Sequence, residues 1–233
     1  MINFGRSIRA ALRGKPQLPS MHGDVLAFAS APDPVVPAKF LEGRTIVTAN
    51  AAQLSLEPLG VEAPHITCMR STMGDGQATS ADKLKRLAGR RTGHLVLFPR
   101  RADPGCAVQL RLLSEIGYTY DELTILHRLD ISTIYNSVLN PGRILLHRTY
   151  EPSMGLRAIL FALAAGATRV AVAGVSFRSG GASYTSMDYK RIHVDADQQI
   201  FARLHQLCAP VFPTDRALAD DTGLPLWPSD QPG

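Results

Sequence analysis

The run Arg169-Val-Ala-Val-Ala-Gly-Val constrains the fold more than any other stretch of this sequence. A continuous apolar strand with no polar alternation suits the centre of a parallel sheet covered on both faces. Asp24-Val-Leu-Ala-Phe-Ala reads the same way, closing in a turn of Ser30-Ala-Pro-Asp-Pro, and Thr45-Ile-Val-Thr leads into Asn50. His94-Leu-Val-Leu-Phe is stopped by Pro99, and Leu123-Thr-Ile-Leu-His and Arg143-Ile-Leu-Leu-His are two further strands. Helical patterns lie between them. They comprise a short basic helix over 81–90, a segment with Leu110, Leu113 and Ile116, and a stripe of Leu156, Ile159, Leu160 and Leu163 closed by Gly166. A last helix after His193 carries Ile200, Phe201, Leu204 and Leu207. Strands alternating with helices predict an α/β fold: a Rossmann-like, doubly wound, mostly parallel sheet. The 233 residues suffice for one such domain, expected over 21–222, with a basic arm at 1–20 and a Pro-rich tail at 223–233.

Composition narrows the function classes. Hydrophobic residues at 45% and charged residues at 19% exclude a disordered chain. The longest apolar run, around 158–165, falls well short of the ~18 residues of a membrane span, and the first residues lack the apolar core of a secretory signal. Cys68, Cys106 and Cys208 form neither a metal pair nor a disulfide framework, which fits a reducing cytoplasm. The net charge of +5 favours an anionic partner. Two basic clusters stand out: Arg6, Arg9, Arg13 and Lys15, and then Lys83, Lys85, Arg86, Arg90, Arg91, Arg100 and Arg101. Aromatic residues avoid both, so the clusters read as solvated faces and nucleic acid is not expected. Phe4, Ile8 and Leu12 opposite the first arginines give residues 1–15 two readings: a weak peripheral membrane contact, or a helix packing on its own domain or on a partner subunit.

In such sheets ligands collect at the carboxyl ends of the strands. That points to the loops 30–34, 48–52, 150–155 and 176–193. In Glu151-Pro-Ser-Met-Gly, Ser153 is an N-cap in front of the apolar stripe, and helix N-termini favour anions. The two readings are a phosphate cradle and an ordinary cap. Gly174-Val-Ser-Phe-Arg-Ser-Gly-Gly-Ala-Ser-Tyr184 leaves the best strand as a small, polar loop from which Arg178 and Tyr184 reach. His193, just before the last helix, is of the type that acts as a general base near neutrality. Asp195 and Asp197 resemble a D-x-D metal motif, yet residues two apart on a helix do not face each other, and acidic side chains in a first turn suit the helix dipole.

Pro152-Ser-Met-Gly-Leu, the strand from Arg169, the loop from Phe177 to Tyr184, His193 and Cys208-Ala-Pro-Val-Phe have the order and spacing of the bacterial sialyltransferases of glycosyltransferase family 42, which this chain resembles most over 150–213 and more weakly over 24–54. The resemblance implies a Rossmann-like fold, a CMP-sugar donor such as CMP-sialic acid, inversion at the anomeric centre and no metal. It implies that His193 is the base toward the acceptor hydroxyl and that Tyr184 supports the leaving phosphate. Ser30, Asn50, Ser153, Met154, Gly155 and Ser176 would line the nucleotide pocket. Two departures stand out. Arg178 occupies the place of a second phosphate-supporting tyrosine, and Ala29-Ser-Ala-Pro-Asp33 replaces a Gly-Asn-Gly-Pro-Ser turn.

The residue types suit that chemistry. Breaking a sugar–phosphate bond needs positioned donors on the phosphate, here Ser153, Tyr184 and Arg178, and one neutral histidine near the incoming hydroxyl. The expected partners are a CMP-sugar donor and a glycan or glycolipid acceptor, with a homo-oligomer suggested by the resemblance. Two alternatives stay open. One is an ATP- and Mg²⁺-dependent pterin pyrophosphokinase-like enzyme, for which Asp33, Asp195 and Asp197 become metal candidates. The other is a degenerate, non-catalytic nucleotide- or glycan-binding protein, motivated by the altered 29–33 turn. No P-loop motif is present.

Overall fold

A computed structural model describes residues 18–71, 78–99, 105–139, 151–178, 183 and 193–228. Seven strands form one sheet: β1 (Asp24–Phe28), β2 (Thr45–Ala49), β3 (Ile66–Arg70), β4 (Arg91–Phe98), β5 (Thr119–Ile125), β6 (Arg169–Ala173) and β7 (Val211–Pro213). Their order is β5-β4-β3-β2-β1-β6-β7, and every pairing is parallel. The helices are α1 (Ala78–Arg86), α2 (Gly105–Glu115), α3 (Arg128–Leu139), α4 (Met154–Ala164), α5 (Val194–Gln206) and α6 (Arg216–Thr222).

The chain winds outward from β1 to β5, then returns across the sheet to lay β6 on the other side of β1. The strand order therefore reverses between β1 and β6, and a doubly wound sheet opens a crevice at the carboxyl ends there. The register sets those ends nearly flush: Phe28 lies opposite Ala173 on one side and Thr48 on the other.

Alternation along the strands separates two cores. Val25, Ala27, Val47, Ala49, Cys68, Val170 and Val172 face one side, beneath the apolar stripe of α4 and parts of α3 and α5. Leu26, Phe28, Ile46, Ala171 and Ala173 face the other, with Phe40 and Trp227. Met69, Leu95 and Leu97 extend that second face under α1 and α2. Helix α4 is buried along most of its length, as its composition of Leu, Ile, Ala and Phe requires.

Some expectations need correction. β3 and β7 were not anticipated, nor were α3 and α6. β5 begins at Thr119 rather than Leu123, because it is an edge strand that opens on the exposed polar residues Thr119, Asp121 and Glu122 instead of an apolar run. Residues 223–228, expected as part of a tail, pack against the sheet: Leu224 and Trp227 are buried, and the Trp227 ring meets Phe40 edge-on at 5.2 Å and Phe212 at 5.6 Å. The expected strand at 143–147, the arm at 1–17, Arg100, Arg101 and Tyr184 lie outside the described residues. Within the second basic cluster, Arg86 pairs with Asp82, Arg90 with Glu57 and Arg91 with Asp121, in keeping with a solvated face. No described helix is long and apolar enough to cross a membrane.

Candidate active site

Three segments meet at the carboxyl edge beside the β1/β6 switch. The first is the close approach of the two strand exits. Ala29 N–H donates to Ala173 O at 2.9 Å and Ala31 N–H to Gly174 O at 2.7 Å. A side chain at residue 174 would collide with the Ala29 carbonyl, since a Cβ there would lie 2.1 Å from its oxygen, and φ is +68°. Only glycine permits this junction. Gly155 serves the same contact from α4: a Cβ at that position would meet the Ala29 Cβ at 2.8 Å. The space Gly155 leaves is thus used by the turn after β1.

The second segment is the exit of β2. Asn50 adopts φ +52°, donates its amide to Cys68 O at 2.8 Å, and accepts the Arg70 amide on Oδ1 at 3.0 Å. Asparagine tolerates the left-handed region because its short amide bonds locally. The side-chain carbonyl therefore ties the ends of β2 and β3 together. Beside it, Ser183 N–H donates to Ser30 O at 2.8 Å and the Ser183 hydroxyl lies 2.5 Å from that of Ser55, so Ser183 touches the segments that follow β1 and β2.

The third segment joins the N-termini of α4 and α5. Ser153 caps α4, its hydroxyl accepting Leu156 N–H at 3.2 Å. Its own amide donates to Asp197 Oδ1 at 2.8 Å. Asp197, buried in the first turn of α5, donates its amide to His193 O at 2.9 Å. Its place in that turn is therefore more specific than dipole compensation alone. His193 caps α5 and sets its Nδ1 2.6 Å from Glu151 O. A carbonyl can only accept, so Nδ1 carries the proton and Nε2 of the neutral ring is a lone-pair acceptor. Burial holds His193 below the usual histidine range; the bond to Glu151 O opposes this, and the Arg70 and Arg157 charges assist it.

A charged cluster, not legible as one in the sequence, adjoins the histidine. The Glu151 carboxylate accepts Arg70 at 3.3 Å and Arg157 at 3.2 Å. Arg157 is buried and also donates Nε–H to Pro152 O at 3.2 Å. One signal was available: an arginine among Leu156, Ala158, Ile159 and Leu160 of a helix stripe must be paired to be buried.

The candidates do not all converge. Asn50, Ser30 and Ser176, in the segments after β2, β1 and β6, and His193, Ser153, Met154 and Gly155, at the N-termini of α5 and α4, belong to the same edge of the sheet. Arg178 stands apart on its loop, its side chain 61% exposed and its guanidinium bonded to both carboxylate oxygens of Asp221 in α6, at 2.5 Å and 3.0 Å. The Ser176 hydroxyl accepts Arg178 N–H at 3.1 Å and shapes that loop.

No family model matches the sequence, and no match to a curated protein was found. Solved structures do match. The chain is similar to the Campylobacter jejuni sialyltransferase CstII in complex with a substrate analogue, CMP-3FNeuAc: identity is 10%, coverage is 90% of this chain and 87% of that one, and the TM-score is 0.53. It is similar to the monofunctional α-2,3-sialyltransferase Cst-I of the same organism at 10% identity, with 91% and 84% coverage and a TM-score of 0.57. A complex of CST-II with a trisaccharide acceptor and CMP aligns at 10% identity, with 89% and 86% coverage and a TM-score of 0.53. The chain has the α/β fold of these bacterial sialyltransferases along nearly its full length.

Proposed function

We propose that this protein is a glycosyltransferase of sialyltransferase type, moving sialic acid or a similar sugar from a CMP-sugar donor to an acceptor hydroxyl with inversion and without a metal. The observation that carries the reading is the imidazole of His193 at the carboxyl edge of the sheet. Its Nδ1–H is committed to Glu151 O, which leaves Nε2 as the ring's acceptor, and burial disfavours its charged form. Such a nitrogen suits accepting the proton of a hydroxyl that attacks an electrophilic centre. With Leu156 N–H taken by the Ser153 hydroxyl, the amides of Met154 and Gly155 at the start of α4, together with Ser176 and Arg178 on the segment after β6, would be the donors toward a leaving phosphate. The solved neighbours in complex with CMP and with a donor analogue support the same reading.

The site residues of this proposal are His193 as base, Tyr184 and Arg178 as phosphate supports, and Ser30, Asn50, Ser153, Met154, Gly155 and Ser176 as the nucleotide pocket. The fold would serve as one catalytic domain with a glycan or glycolipid acceptor. Calorimetry in EDTA with CMP, UDP, ADP and ATP, repeated with Mg²⁺, tests it. Metal-free binding of CMP alone is the expected result and would be followed by turnover assays with CMP-sialic acid and CMP-Kdo. Binding of ATP only with Mg²⁺ would replace this reading with the pyrophosphokinase-like one.

A further inference from the structure

The turn before α4 is fastened at every residue. The Glu151 carbonyl accepts His193 Nδ1–H at 2.6 Å, and its carboxylate accepts Arg70 and Arg157. The Pro152 carbonyl accepts Arg157 Nε–H at 3.2 Å, and the Ser153 amide goes to Asp197 at 2.8 Å. Arg157 is the member that holds two of these points at once, the side chain of Glu151 and the main chain of Pro152, and its guanidinium lies over the Phe98 ring at 5.9 Å to the centroid. A single planar fork thereby fixes the peptide whose carbonyl faces the histidine.

We propose that Arg157, acting through the Glu151 carboxylate, is a positioning residue that fixes the Glu151 carbonyl so that His193 is kept as the Nδ1–H tautomer with Nε2 open. This rests on the reading of His193 as base. The geometry carries it: in water a neutral imidazole favours the proton on Nε2, so a fixed acceptor 2.6 Å from Nδ1 is what selects the other tautomer. Arg157 is nearly inaccessible, its side chain 6% exposed, so its charge is placed to act on the protein's own backbone. The charged groups acting on His193 are Arg70 at the end of β3, Glu151 before α4 and Arg157 within α4.

The test uses the full chain labelled with ¹⁵N-histidine, with the His193→Ala spectrum identifying the resonances among the chain's 7 histidines. In the wild type, His193 is expected to show a protonated Nδ1 and an unprotonated Nε2 above pH 7. In Arg157→Gln and in Glu151→Ala, the Nε2–H form should appear, and kcat should fall about ten- to a hundredfold with little change in donor KM. A wild-type ring protonated on Nε2, or a tautomer unchanged in both variants, would overturn the proposal. Should Arg157→Gln not fold, Glu151→Ala carries the test, because that side chain is 42% exposed. The spectrum judges the positioning role even if no CMP-sugar is turned over; absence of turnover by a wild type with the expected tautomer counts against the transferase reading alone.

Discussion

The imidazole of His193 and the backbone carbonyl of Glu151, 42 residues apart in the chain, meet at 2.6 Å and join the start of α5 to the turn that opens α4. That contact sets which nitrogen of the ring can take a proton. It predicts that His193→Ala lowers turnover by roughly 10²–10⁴ while leaving CMP affinity nearly unchanged. Steady-state rates beside calorimetric titration of CMP check this, and unchanged turnover would remove His193 from the mechanism.

The pH dependence follows from the same environment. Burial holds His193 below the ordinary 6.5, so the ring is neutral through the neutral range and becomes protonated only as the solution turns acidic. kcat/KM should therefore rise with pH along a single acid limb whose midpoint lies below 6.5, then level off. A limb centred above that value, measured with a donor that does not titrate there, would contradict the assignment.

Stability should fall on the acid side for a related reason. His65, His94 and His193 are all depressed by burial from 6.5. Below that pH the unfolded chain binds protons that the folded chain resists, so stability declines as pH drops through 6.5 toward each folded value. Asp24, held below 3.8 chiefly by its hydrogen bonds with Arg169, adds a further loss at lower pH. Urea midpoints at a series of pH values should slope downward from neutrality; a midpoint independent of pH between 7 and 5 would refute the histidine contribution.

What the sequence made legible follows from how each signal is written. β6 announces itself because Val170 to Ala173 is apolar on both faces, and α4 because its stripe is unbroken from Leu156 to Leu163. β3 did not, because Thr67 and Cys68 look neutral in a list; in the fold the Thr67 hydroxyl lies 3.0 Å from Thr48 and donates to Thr92 at 3.0 Å, which satisfies it inside the sheet. β7 is three residues long and gives no period to read. At the site, Ser153 and His193 were visible as local signals at helix starts. Their connection through Asp197 and Glu151 was not, because it spans about forty residues and depends on where the winding places two helix N-termini. Arg157 reads as an oddity in an apolar stripe until its carboxylate partner is known.

Gly174 makes a sharper structural prediction. Its φ of +68° and the Ala29 carbonyl beside it leave no room for a methyl group. Gly174→Ala should cost about 1–3 kcal/mol from the backbone conformation alone, with the added clash pushing the β1 and β6 exits apart. Chemical denaturation should report the loss, and CMP binding should weaken in whatever protein remains folded. A variant as stable as the wild type would show that the two exits are not so tightly joined.

Arg178 is paired yet open to solvent. Its guanidinium is held by Asp221 at 2.5 Å and 3.0 Å, yet the arginine side chain is 61% exposed, so the pair is screened and readily exchanged. A phosphate that carries more charge than one carboxylate, and turns two of its tetrahedral oxygens to the same arginine fork, is expected to displace Asp221. Two consequences separate this from a purely structural pair. Arg178→Ala should weaken CMP far more than cytidine, because only the former presents a phosphate. Asp221→Asn should do the reverse: by releasing Arg178 from a competing anion it should tighten CMP roughly two- to fivefold, the scale of an exposed ion pair, and leave cytidine unchanged. Equal weakening of CMP and cytidine in Arg178→Ala, together with no gain in Asp221→Asn, would assign the arginine to holding the β6 loop against α6 and leave the phosphate to other donors.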